Sequence, residues 1–163
     1  MAETVHLNLE ANGEKIDGDS SQTSLGRENT IECVYYEDSV RTAREAGSGM
    51  ASGRRVHEAI KILKRIDKSS PLLARALCNN EVVNAEFLFF RPNPAGDGTT
   101  EQFFTVKASE GRIAGIRRVV PNSIDPASSN EPPLEEVSIV YHTIVWSFNP
   151  TGAEHQDSWS ANQ

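Results

Sequence analysis

Residues 65–77, Arg65-Ile66-Asp67-Lys68-Ser69-Ser70-Pro71-Leu72-Leu73-Ala74-Arg75-Ala76-Leu77, constrain the fold more than any other stretch of the chain. An alternating, strand-like run ends there and a helix begins. Ser70 is placed to cap that helix, its hydroxyl accepting from a backbone N–H that has no other partner. Pro71 suits the first helical position, where no donor is needed. Leu72, Leu73, Ala76 and Leu77 form an apolar stripe at helical spacing, and Asn79-Asn80 supplies a stop. Nearly everything else reads as strand. One short helix in an otherwise all-β chain suits a plug or strap on a closed sheet, which points to a built object more than to a catalyst.

The strands follow from period-two alternation. Val5, Leu7 and Leu9 alternate with polar residues in the first strand. In 30–38, Ile31, Cys33 and Tyr35 face one way and Val34 and Tyr36 the other. Residues 39–53 break the pattern, and Gly47-Ser48-Gly49-Met50-Ala51-Ser52-Gly53 predicts a flexible loop, a kind of segment that is usually functional or disordered. Alternation resumes in 55–66, with Val56, Ile60, Ile62 and Ile66 on one face and Lys61 and Arg65 on the other. Further strands are predicted over 82–91, 101–108 and 113–120, and the four prolines of 121–133 mark a loop. The longest strand is expected at 136–148, with Val137, Ile139, Tyr141 and Val145 on one face and Val140, Ile144, Trp146 and Phe148 on the other. A strand apolar on both faces is covered on both faces. With one helix available, part of that cover is expected from another subunit.

About seven strands joined by hairpins can close into a small barrel, which removes exposed edges; a β-sandwich is the nearest competitor. The expected fold is therefore mainly β, a closed β-barrel with one short flanking α-helix and a long extended loop. Residues 1–148 form the single domain, and 149–163 form a C-terminal tail.

At 163 residues the chain is long enough to bury a core. No apolar run approaches the length of a membrane span, so no membrane insertion is expected. Residues 1–6 lack the basic and apolar regions of a secretory signal peptide. Cys33 and Cys78 are far apart, outside any metal-like spacing, and read as buried reduced thiols. The net charge of −7 is segregated: −7 over residues 1–38, +6 over 41–118 and −6 over 119–163. That suits head-to-tail contacts between copies. The acidic balance argues against nucleic acid as a partner, and the doublets Arg54-Arg55 and Arg117-Arg118 read as solvated or intersubunit contacts.

No catalytic constellation emerges. The glycine loop has neither GxGxxG spacing nor a following Gly-Lys-Ser/Thr, and it leads from strand to strand. His6, His57, His142 and His155 show no short zinc spacing, so no metal and no cofactor are expected. Glu37-Asp38 and Glu135-Glu136 are neighbours whose carboxylates point to opposite faces of a strand, and no Gly-x-Ser-x-Gly elbow is present. No catalytic residue is assigned.

The strand-to-helix junction Ile66-Asp67-Lys68-Ser69-Ser70-Pro71, the strand pair around 103–119 and the closing strand 137–148 resemble the Hcp family, the haemolysin-coregulated protein of the bacterial type VI secretion system. The resemblance spans 5–148. It implies a β-barrel with one flanking helix, related to phage tail-tube proteins. It also implies homo-hexameric rings with a wide channel that stack into the inner tube driven outward by a contractile sheath. Spike proteins and effector cargo sheltered in the ring are further implied partners. Implied too are assembly in the bacterial cytoplasm and release without a cleaved signal. The family's extended loop, used between rings, corresponds to residues 39–54, with Arg44, Met50 and Arg54 reaching outward and Arg55 beside them. The expectation is a structural subunit rather than an enzyme. The alternative is a monomeric barrel binding a small apolar ligand, although the inward residues look bulky enough to fill a small barrel.

Overall fold

In the computed structural model, which describes residues 3–159, alternation in β1 (Thr4–Ala11) turns Leu7, Leu9 and Ala11 inward, each at most 1 % exposed. A tight turn at Asn12-Gly13, both with positive φ, returns the chain into the short β2 (Glu14–Ile16). The other strands are β3 (Ile31–Glu37), β4 (Val40–Arg44), β5 (Ala51–His57), β6 (Ile60–Arg65), β7 (Val83–Pro92), β8 (Thr100–Val119), β9 (Leu134–Val140), β10 (Thr143–Phe148) and β11 (Ala153–Ser158). The helix α1 (Ser70–Cys78) joins β6 to β7 and lies against β8.

The pairing is antiparallel throughout. The circuit β8-β7-β1-β3-β6-β9 returns to β8, closing a barrel of six strands. Its interior is filled by Leu7, Ile31, Ile60, Ile62, Phe87, Val106, Val137 and Ile139, none more than 1 % exposed. Leu73 and Ala76 bring α1 into the same core.

β8 serves two partners on one side of the circuit and carries a second edge besides. Its first half pairs with β7 and β10, and its second half with β9. Where two strands were expected over 101–120, one 20-residue strand runs through. Glu110 adopts a positive φ of 52° at the handover. Gly111 follows, where a Cβ would lie 2.3 Å from the Val140 carbonyl oxygen. Only the missing side chain lets the two backbones pass.

β9 and β10 lie end to end along one edge of β8, so the long strand expected at 136–148 is two. The break at Tyr141-His142 reverses the phase. Ile144 is therefore fully buried with Val137, Ile139 and Tyr141, whereas Val145 is half-buried. A bulge in β3 between Cys33 and Tyr35 does the same. Tyr35 turns outward and Tyr36 packs edge-on against Phe87 and Phe89.

Three further expectations are corrected. The tail predicted from residue 149 contains β11, which pairs with β10 from Thr143↔Ser158 to Phe148↔Ala153. Its polar side chains hid a strand whose role is to cover an edge; residues 160–163 lie outside the described residues. Cys33 is buried as expected, but Cys78, on the last turn of α1, is exposed. Residues 39–53, expected as a flexible loop, belong to a two-stranded ribbon of β4 and β5 that runs on to His57. Backbone N–H and C=O groups that project from a barrel must find partners, and here they find each other.

Candidate functional site

Two structural features stand apart from ordinary barrel packing: the projecting ribbon and a buried ion network at the strand-to-helix junction.

The ribbon, β4–β5, forms a sheet of its own. Val40 pairs with His57 and Arg44 with Ala51, and the Glu45 N–H donates to the Met50 carbonyl across the tip at 2.7 Å. Gly49 turns the tip with φ 73°. Arg44 and Arg54 are exposed, and Met50 at the tip is 67 % exposed. Arg44, Met50 and Arg54 therefore lie open to solvent on the ribbon. Arg55, beside them, turns back to the barrel: its Nε and Nη2 donate to Asp157 on β11 at 2.9 and 3.0 Å. Asp157 also takes the His57 Nε2 contact at 2.8 Å, while His57 Nδ1 meets the Tyr141 hydroxyl at 2.9 Å. The Arg55 bonds, reinforced by His57 and the Ser158 N–H, outweigh partial burial and hold the Asp157 carboxyl down at about 2.

At the junction, β6 turns Ile60, Ile62 and Lys64 inward, and Lys64 is fully buried. Its ammonium donates to Glu135 Oε1 at 2.6 Å and pairs with Asp67 at 3.0 Å. Glu135, equally buried, accepts from the Ser70 hydroxyl at 2.9 Å and from Arg118. Burial pushes the Glu135 carboxyl up, but the Lys64 and Ser70 hydrogen bonds, the Lys64 charge and Arg118 more than reverse it, leaving it below the usual range. Asp67 behaves likewise, its burial outweighed by hydrogen bonds from Ser69 and Lys64.

This network redefines the serine pair. Ser69 occupies the cap position of α1 without a side-chain capping bond. Ser70, expected as the cap, is the first helical residue. Its hydroxyl accepts from the Asp67 N–H at 3.0 Å and donates to Glu135. A buried carboxylate is the stronger claim on that hydroxyl. Lys64 and Glu135 escaped the sequence reading, yet a signal existed. Lys64 continues the Ile60, Ile62 register inward, and Glu135 continues that of Val137 and Ile139, with opposite charge.

Among the described residues no group of three or more His, Cys, Asp or Glu side chains is placed to hold a metal ion. Among the same residues no helix is long and apolar enough to cross a membrane. The outer surface carries exposed apolar residues in separate places: Val34 and Tyr35 on β3, and Val119, Val120 and Ile124 at and beyond the end of β8. A cleft of about 320 Å³ lies beside the latter, lined by Leu63, Val119, Pro121, Pro132 and Leu134 with Arg117.

Residues 7–148 match the family described as type VI secretion system effector, Hcp. The chain is 31 % identical over 135 residues to the major exported protein of Pseudomonas aeruginosa strain PAO1, covering 82 % of this chain and 77 % of that protein. The fold is similar to a crystal structure of an Hcp protein, with 27 % identity, a TM-score of 0.85 and coverage of 98 % and 99 % of the two chains. It is also similar to Hcp1 from E. coli EAEC 042, with 26 % identity, a TM-score of 0.82 and coverage of 97 % and 99 %.

Proposed function

The chain belongs to the Hcp family of the type VI secretion system, and from that premise we propose that it is a structural subunit of the system's inner tube, forming hexameric rings that stack. One observation carries the reading: a two-stranded ribbon leaves the closed barrel and presents Arg44, Met50 and Arg54 to solvent. An isolated two-stranded ribbon is marginal in water. Cover from a neighbouring copy completes it, and an exposed methionine at its tip is the adaptable apolar contact such an interface uses.

In this reading Arg44, Met50 and Arg54 make the contact between rings, and Arg55 fixes the ribbon that carries them. The separate apolar places on the outer face, Val34-Tyr35 and Val119-Val120, suit a head-to-tail ring, which needs two unlike surfaces on each copy. Sheath, spike and effector cargo are the partners, and the subunit is assembled in the bacterial cytoplasm before export. No reaction is assigned to it. The small-ligand alternative is disfavoured by the filled barrel interior, where Phe87 and seven aliphatic side chains leave the axis occupied.

Light scattering coupled to size-exclusion chromatography tests the ring. The expected mass is six times the 17.9 kDa chain. A monomer at micromolar concentration overturns the proposal.

A further inference from the structure

The ribbon leaves the barrel at a fork in the sheet. β9 and β10 run end to end along β8, so their other edge is shared, β6 taking β9 and β11 taking β10. The chain passes from His57 at the end of β5 into Ile60 at the start of β6, beside the last residues of β11 and the Tyr141-His142 break. Four side chains meet at that point. His57 contacts Tyr141 and Asp157 as described, and Trp159 stacks on the His57 ring at 5.9 Å and meets Tyr141 edge-on at 5.0 Å.

The ribbon's other foot lands on the same hairpin. Asp38, just before β4, accepts at one oxygen from the Tyr36 hydroxyl at 3.1 Å and from the Trp146 indole N–H on β10 at 3.0 Å. The two feet are joined by the Glu58 N–H donating to the Ser39 carbonyl at 3.0 Å and by Arg41 pairing with Glu58. β10 and β11 are themselves braced by Trp146 stacked on His155.

We infer that the β10–β11 hairpin is the mount of the ribbon, and that Asp38 and Asp157 are positioning residues that set its direction. A two-stranded ribbon with free feet would swing about residues 38–39 and 58–59. Carboxylates bonded to an indole N–H, a guanidinium and an imidazole, packed among aromatic rings, oppose that rotation at both feet. β11, whose polar sequence carries no packing signal of its own, acquires a purpose: it supplies Asp157. The consequence for stacking rests on the reading of Arg44, Met50 and Arg54 given above; the mounting itself does not.

Hydrogen exchange of the full chain as unstacked protein tests it, using Asp157→Asn, Trp146→Phe and their combination. Asp157→Asn keeps the native shape, and Trp146→Phe keeps an aromatic ring against the core while removing the N–H donor. Loss of one charge-assisted bond implies exchange about tenfold faster across 40–56, with β1 and β7 unchanged. Unchanged exchange in the ribbon, or a rise shared equally by β1 and β7, overturns the inference. If the double variant misfolds, His57→Gln provides the same readout at one foot alone. Tube lengths by electron microscopy separate the two claims. Faster ribbon exchange with shorter tubes supports both. Faster exchange with unaltered tubes supports the mount and refutes the role of the ribbon between rings.

Discussion

Lys64 on β6 and Glu135 on β9 stand directly opposite in register and meet at 2.6 Å with neither exposed to solvent. The pair closes the barrel wall next to the helix and draws Ser70, Asp67 and Arg118 into one network. Two charges buried together are tolerable only while each keeps its partners.

Removing one partner is therefore expected to cost more than removing both. Glu135→Gln leaves the Lys64 ammonium with Asp67 as its remaining counter-charge and should destabilise the chain by about 3 kcal/mol. Lys64→Met combined with Glu135→Leu should recover much of that loss. Urea unfolding of the two single variants and the double supplies the cycle; additive losses would show that the two charges are not coupled.

Gly111→Ala is the backbone counterpart. The new methyl would have to displace the Val140 carbonyl, separating β8 from β9 where the barrel closes. A loss of at least about 2 kcal/mol is expected, measured by thermal unfolding. Gly115→Ala, a position with open space on the same strand, is the control and should cost far less.

Acid should weaken the molecule through Asp157. Its carboxyl titrates near 2 when folded, because of the Arg55 bonds first, against an unfolded value of about 3.9. A depressed folded value means that the stability is fully present above the unfolded one and is lost as pH falls through the folded one. The contribution is on the order of 2 kcal/mol, about half of it gone by pH 3. Glu135 and Asp67, also held low, act in the same sense. Urea midpoints at pH 6 and pH 3 should converge in Asp157→Asn relative to the native chain.

The two cysteines should react unequally. Burial pushes the Cys33 thiol up to about 12, while Cys78 is exposed. Alkylation of the folded protein at pH 8 should modify Cys78 alone, with Cys33 reacting only in denaturant. Mass spectrometry of the digested product reads this directly.

Arg54→Glu and deletion of residues 47–53 should reduce stacking while leaving the ring mass unchanged. Both alter the exposed part of the ribbon and touch neither foot. Negative-stain images showing tubes of native length would refute the assignment.

The strands and the helix were legible because their physics is local. Leu7, Leu9, Ile60 and Ile62 alternate, and Leu73 and Ala76 fall on one helical face, whatever the rest of the chain does. Where a backbone irregularity intervened the reading slipped. The bulge at Cys33/Tyr35 and the break at Tyr141-His142 each reverse which residues face inward, and neither leaves a mark in composition. The ribbon read as a flexible loop because glycine and serine signal a lack of packing, whereas its strands are held by backbone pairing. The pairing of Arg55 leaves no local signal, because its partner, Asp157, lies about a hundred positions away.

The alternating apolar strands of the barrel, the one α-helix and the inward register positions of Lys64 and Glu135 were properties of the sequence itself, since periodicity writes them residue by residue. Which charge meets which, that β8 serves β7, β10 and β9 together, and that a polar C-terminal strand holds the base of a distant ribbon were settled only when the barrel closed. Closure brings together positions that no local pattern relates.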